Sequence, residues 1–285
     1  MKFGYNTNGL AHHRFEDAVA LLADHGYETV AITPDVAWLD PYQETFSLNR
    51  QIDETARVLS KFGMSCVMES GARYLINPRR KHDPTLMDAS ADRRALRGDY
   101  LKRLMKMASD LQATCLSFWS GKIDEKLSQG EADKRLADGI QDLLPLAESL
   151  RMPLAFEPEP GMYIETLEDF RRIDRLVSSE WFGLTIDLGH LHCLGEVPIE
   201  GKVREWGPRI LNIHIEDMVP GVHEHLPFGK GTMDFPPILE ALEEVGFPYA
   251  VCVELSRESH RADSAVGESA EFLRNTLRIA RNQKA

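Results

Sequence analysis

The sequence predicts an α/β fold, a closed (β/α)8 barrel in one domain spanning residues 1–285, and three observations predict it. Eight short β-rich runs alternate with longer amphipathic stretches from end to end. The 285 residues fit one barrel of about 250 residues plus extended loops. The rival, a doubly wound open sheet, lacks its signature: the first run continues as Gly4-Tyr5-Asn6-Thr7-Asn8-Gly9, not as G-x-G-x-x-G.

The elements follow in order. Lys2–Asn6 opens the chain as a strand, and Phe15-Ala18-Leu21-Leu22 marks a helix by its three-to-four spacing. Thr29–Thr33 and Ser65–Glu69 come next, preceded by Gly26-Tyr27 and Gly63-Met64, where glycine suits a helix C-cap. A long connection, Glu69 to Asp92, holds Asn77-Pro78-Arg79-Arg80-Lys81-His82-Asp83-Pro84, and a helical pattern Leu101-Leu104-Met105-Ala108 follows it. Strands are expected at Thr114–Trp119, Leu154–Glu157, Gly183–Asp187, Ile210–Ile215 and Ala250–Leu255, the last preceded by Gly246-Phe247. The Gly-, Pro- and His-rich connection from Glu216 to Asp234 reads as a second long loop, and such loops form the substrate rim of a barrel.

Composition narrows the function classes. Apolar residues make up 43% and charged residues 27%, a globular balance. Lys plus Arg total 33 against 45 acids, and a net charge of −12 argues against a non-specific nucleic-acid binder. The longest strictly apolar run, Ala18 to Ala23, is far below the ~20 residues that span a bilayer, and the start shows no signal-peptide core. Four cysteines, none in a C-x-x-C pair, fit a reduced, cytoplasmic protein.

Alternation along each strand assigns faces. Leu211, Ile213 and Ile215 share one face, and Asn212, His214 and Glu216 the other. Val251, Val253 and Leu255 oppose Cys252 and Glu254; Leu184 and Ile186 oppose Thr185 and Asp187; Leu154 and Phe156 oppose Ala155 and Glu157. Large aliphatics must face the surrounding helices, so Glu157, Asp187, His214 and Glu254 project toward the axis near their strands' C-terminal ends. One reading is four polar residues separately hydrogen-bonded at a solvated barrel end. The other is a divalent cation, which three carboxylates and an imidazole at one mouth suit, since isolated buried carboxylates are costly.

The segments Ala155-Phe156-Glu157-Pro158-Glu159, Asp187-Leu188-Gly189-His190, Asn212-Ile213-His214-Ile215-Glu216-Asp217, Val253-Glu254 and His225-Leu226-Pro227-Phe228-Gly229-Lys230-Gly231 resemble the xylose isomerase-like TIM-barrel superfamily. That superfamily includes sugar isomerases, epimerases and endonuclease IV. The resemblance implies that Glu157, Asp187, His214 and Glu254 bind Mn2+ or a similar ion (Mg2+, Co2+ or Zn2+). It also implies that Glu157 and Glu254 exchange protons on opposite faces of a substrate, and that His190 contacts substrate oxygens. Two positions depart from the ketose 3-epimerases: Pro220 stands where those enzymes have Arg, and Tyr163 where they have Glu. Endonuclease IV takes additional histidine ligands where this chain has Glu69 and Trp119, and His223 and His225 fall at its Asp-x-His pair.

The expected chemistry is proton transfer through an enediolate, isomerising or epimerising a sugar, sugar phosphate or related polyol ketone. Expulsion of a β-hydroxyl, dehydration of an inosose- or dehydroshikimate-like substrate, is the alternative, and a metal-dependent phosphodiesterase is a further one. His190, His225, Lys230, Trp119 and Glu69 are the candidate substrate contacts, with Trp119 offering an apolar wall to a sugar ring. Arg79-Arg80-Lys81-His82 reads mainly as a solvated charge run. The expected partner is a small molecule, without nucleic acid or membrane, in a homo-oligomer (dimer or tetramer).

Overall fold

The computed structural model describes residues 1–123 and 125–283. Ten strands occur among them: β1 (Lys2–Asn6), β2 (Thr29–Ile32), β3 (Ser65–Glu69), β4 (Leu116–Phe118), β5 (Leu154–Phe156), β6 (Phe182–Asp187), β7 (Ile210–Ile215), β8 (Asp217–Val219), β9 (Val222–Leu226) and β10 (Ala250–Val253). Eight form a closed barrel in the order β1-β10-β7-β6-β5-β4-β3-β2. β1 runs parallel to β10, from Lys2 beside Ala250 to Tyr5 beside Val253. Gly26, Gly63 and Gly246, the expected helix C-caps, all take positive φ (76°, 66° and 64°).

The connection expected to be a loop between Glu216 and Asp234 instead contains an antiparallel hairpin, β8–β9. Its turn is Pro220-Gly221, with Gly221 at φ 75°, the left-handed position that a proline-glycine turn needs. Asp217 anchors the hairpin and the loop behind it. Its Oδ1 accepts from the backbone N–H of Met218 (3.0 Å) and Met233 (3.1 Å), and its Oδ2 from Gly229 N (2.9 Å). The expected strands at Thr114–Trp119, Leu154–Glu157 and Ala250–Leu255 are shorter than their apolar runs, so Trp119, Glu157 and Glu254 lie just past a ladder's end.

Two units divide the chain. The first comprises Met1–Ile32, Val58–Ser65 and the chain from Thr185, with β7 to β10 and the helices Leu188–Leu194, Ile199–Trp206, Phe235–Glu244 and Ala262–Gln283. The second comprises Thr33–Arg57 and Cys66–Leu184, with β4, β5 and the helices Ala91–Asp110, Gln129–Gln141, Leu144–Leu150 and Leu167–Val177. Two helices of the second unit open on reciprocal capping boxes, Ser128 with Glu131 and Thr166 with Asp169.

The second unit's core fixes the face of β5. Phe156 is fully buried; its ring meets Phe118 edge-on at 5.2 Å and stacks on Phe170 at 6.1 Å. Phe170 belongs to the helix Leu167–Val177, so Phe156 faces the helical layer, and burying each such ring contributes about 1.5–3 kcal/mol. Alternation then turns Ala155 and Glu157 the other way. In β10, Cys252 approaches Gly4 so closely that a Cβ there would stand 2.7 Å from its Sγ.

Candidate active site

The first unit gathers most of the ionisable groups. β6 is buried along its whole length and runs straight into the helix Leu188–Leu194. Asp187 is the hinge between them: its Oδ1 accepts from His190 N at 3.0 Å as the N-cap. That leaves Oδ2, which is buried without a hydrogen-bond partner, 3.4 Å from His190 Nε2 and 4.0 Å from His214 Nδ1.

β7 contributes Asn212 and His214 from one face, and Glu216 follows directly past its end; all three are buried. His214 Nε2 lies 3.1 Å from Asn212 Nδ2, and its Nδ1 lies 3.0 Å from Glu254 Oε2. Asn8, from the first βα loop, donates its side-chain N–H to Glu254 Oε1 at 2.7 Å. Burial alone would raise the Glu254 pKa. The neighbouring His214 and His225, together with the bond from Asn8, overcome it and hold the carboxyl well below the usual range. Glu254 is therefore a carboxylate at neutral pH.

β9 brings two more histidines. His223 Nε2 lies 3.0 Å from His190 Nε2, and His225 Nδ1 lies 3.6 Å from Glu216 Oε2. The rings of His190, His223 and His225 pack with centroids 4.7 to 5.6 Å apart. Burial lowers the His190 pKa to about 4, keeping it neutral. Burial also lowers that of His225, but Glu216 outweighs it and raises it to about 10. Burial and the charge of Asp187 push Glu216 well above the carboxylate range, while Asp187 itself stays low beside the histidines despite its burial.

This arrangement fits a cation. Asp187 Oδ2 and both oxygens of Glu216 are buried without a hydrogen-bond partner, a costly state that a cation would relieve. Asp187, His214 and Glu254 offer ligand atoms within 4.8 Å of one another; so do Asp187, Glu216 and His225, and likewise His190, His223 and His225. Carboxylate oxygens mixed with imidazole nitrogens match a divalent first-row ion.

The remaining expected residues are distributed as follows. Glu157 and Glu69 belong to the second unit, 8% and 6% exposed; Glu157 N donates to Phe118 O at 2.8 Å, and Glu69 ends β3. Trp119, half-buried, meets His82 edge-on at 5.2 Å. Lys230 is exposed, with its backbone N on Pro227 O (3.0 Å), and its side chain is outside the ligand groups above. Both departures from the epimerase pattern serve structure: Pro220 makes the hairpin turn, and Tyr163 donates its hydroxyl to Asp133 Oδ1 at 2.6 Å. Sequence reasoning missed Asn8 and did not weigh Glu216 as part of the site. An asparagine in Thr7-Asn8-Gly9 reads as a turn residue, and only its partner 246 positions away reveals its role.

Residues 19–276 match the family described as xylose isomerase-like TIM barrel. The chain belongs to that family. A curated relative, L-ribulose-5-phosphate 3-epimerase UlaE of Escherichia coli O139:H28 (strain E24377A / ETEC), is 21% identical over 238 residues, covering 78% of this chain and 84% of its own length. Among solved structures, a D-tagatose 3-epimerase-like protein has a TM-score of 0.82 at 20% identity, with 100% of both chains covered. An IolI protein solved with a zinc atom has a TM-score of 0.79 at 20% identity, covering 97% of this chain and 98% of its own. These structural likenesses establish the (β/α)8 fold.

Gly189 makes room for Glu216. A Cβ on it would lie 2.0 Å from Glu216 Oε1 and 3.0 Å from Met218 Cγ and Cε. Alanine in a helix normally stabilises by ~0.5–1 kcal/mol over glycine, but overpacking costs about 1–3 kcal/mol. Gly189→Ala is expected to lower stability and displace the Glu216 carboxylate, with urea denaturation as the measurement. A gain in stability would show that Glu216 moves aside freely.

The raised pKa values of Glu216 and His225 mean that the metal-free folded state holds more protons than the unfolded one. Stability from His225 is complete below its unfolded value of about 6.5 and is lost as pH rises through about 10. In the presence of chelator, stability should fall between pH 7 and pH 10, and His225→Gln should flatten that fall. An unchanged slope in the variant would remove His225 as its cause.

Proposed function

We propose that this protein is a divalent-metal-dependent isomerase or epimerase of a sugar, sugar phosphate or related polyol ketone, acting by proton transfer. The observation that carries the proposal is Glu254, held ionised between Asn8 and His214 and grouped with Asp187 and His214 as cation ligands. The epimerase relatives and the zinc-bound IolI structure support the same chemistry and a divalent ion.

Asp187, His214 and Glu254 are assigned as ligands, with Glu157 the fourth. Glu157 is assigned by its place on β5: Phe156 faces the helical layer, so alternation turns the Glu157 carboxyl the other way, just past the strand's C-terminal end. Mn2+ is the proposed ion, since three oxygens and one nitrogen suit it, as they also suit Mg2+, Co2+ or Zn2+. A bound divalent ion would supply polarisation of adjacent carbonyl and hydroxyl oxygens, easing removal of the intervening proton.

Glu254 removes that proton at its carboxylate, with Asn8 fixing one oxygen and leaving the second beside His214. Glu157 returns a proton. Inversion at a flat enediolate requires two such carboxylates, one to remove the proton and one to return it to the other face. His190 and His225 hold substrate oxygens, His190 as a neutral imidazole, and Glu69, Trp119 and Lys230 complete the contacts. The substrate is a small molecule, with no nucleic acid or membrane in the role; no helix among the described residues is long and apolar enough to cross a membrane.

The test is deuterium incorporation from D2O across ketoses, ketose phosphates and inososes with added Mn2+. Carbon-bound deuterium in one of these, without loss of mass, supports the proposal. Turnover with loss of water identifies a dehydratase. Turnover with neither exchange nor water loss overturns the proton-transfer scheme.

A further inference from the structure

The second unit buries a cation that the proposed chemistry leaves unused. Arg97 lies mid-helix in Ala91–Asp110, is 2% exposed, and reaches the C-terminal ends of β3 and β4. Its Nη2 donates to Ser70 O at 3.2 Å, while its Nη1 is buried without a partner. The guanidinium lies between two rings, 5.1 Å from the Tyr100 centroid and 5.2 Å from that of Trp119. The ionisable groups that face it are Tyr100, Tyr42 and His82, and none is a carboxylate. A buried guanidinium without a carboxylate is expensive, because ring faces return only part of the lost hydration.

The groups around it are short of acceptors in the same way. Ser70 Oγ and Tyr100 Oη are buried hydroxyls without a hydrogen-bond partner. His82 accepts from Arg73 N at its Nδ1 (3.1 Å), which fixes the neutral tautomer with Nε2–H as a donor. Burial, together with Lys81, Arg97 and Arg73, lowers the His82 pKa to about 3, so the ring adds a donor and no charge. The His82 edge lies over Gly71, with Cε1 3.9 Å from where a Cβ of that residue would stand, next to the Ser70 carbonyl that Arg97 grips. Purely structural stacking would account for Arg97 between two rings, but not for the idle Ser70 and Tyr100 hydroxyls. A water molecule would satisfy the donors and leave the charge uncompensated. An oxyanion does both.

We propose that Arg97, with Ser70, Tyr100 and His82, forms an oxyanion-binding site at the C-terminal ends of β3 and β4, which takes the phosphate or carboxylate of a ligand. The ligand's anionic group is then either a phosphate ester or a carboxylate. The site also gives Trp119 a role different from an apolar wall, as the plate that orients the guanidinium.

The test is calorimetric titration of the full-length protein with inorganic phosphate and, separately, with glycolate, at constant ionic strength, with and without EDTA. Saturable binding that survives EDTA is expected, with the tighter of the two anions identifying phosphate ester or carboxylate as the natural group. Arg97→Met should weaken it about 10–100-fold, the effect of losing charge-assisted hydrogen bonds. Ser70→Ala, which leaves the guanidinium and its stacking in place, should weaken it by a smaller factor and covers the case in which Arg97→Met does not fold. Absence of anion binding to the wild type, or affinity unchanged in both variants, overturns the site. Neither readout involves turnover, so the site can fail while proton exchange stands, and exchange can fail while the site binds phosphate.

Discussion

Glu254→Gln is expected to keep its fold and its metal and to lose about 10²–10⁴ in the rate of substrate C–H exchange. The amide is isosteric, and its oxygen can still coordinate, but it cannot take up a proton. Asn8 sharpens the expectation, because its N–H already points at Oε1 and will hold the amide oxygen there. Label washout from the substrate and metal content by plasma mass spectrometry separate the two effects. Loss of metal with loss of exchange would make Glu254 a ligand first. Full exchange in the variant would end its role as base.

Asp187→Asn is the second large effect, and it acts on the ion. Asparagine caps a helix as well as aspartate does, so the helix Leu188–Leu194 and its bond from His190 N should persist. The lost charge was the one aimed through Oδ2 toward His190 and His214. At an effective dielectric of ~20, opposite unit charges ~4 Å apart attract by about 4 kcal/mol, so metal affinity should fall at least ~100-fold. Chelator competition measures it; unchanged affinity would exclude Asp187 as a ligand.

The barrel and the grouping of Asp187, His214 and Glu254 were legible in the sequence because both obey a period of two. In β7, Asn212 and His214 share one face and Ile213 and Ile215 the other, with Glu216 continuing the first just past the strand's end, and no information beyond that stretch is needed to see it. The hairpin was less legible, since its strands are short and its histidines resemble rim-loop residues, although Pro220-Gly221 carried the turn signal. Asn8 and Arg97 were illegible for a different reason. Nothing local separates Asn8 from any turn asparagine, or Arg97 from the arginines and lysines around it on an ordinary charged helix. Their roles are set by partners supplied from other strands: Glu254 for the one, Ser70 and Trp119 for the other.

The bond between Asn8 and Glu254 also gives the site a place in time. A ribosome adding ~5–20 residues per second makes Asn8 about 12–50 seconds before Glu254 emerges to meet it. Through that interval β1 lacks β10, its neighbour at the closing seam, and the base has neither its anchor nor its position. A nascent chain can already carry Asp187 and His214 while Glu254, the third member of their group, has yet to be made. On the proposed chemistry, the base is therefore completed only when the final barrel strand, β10, pairs with β1.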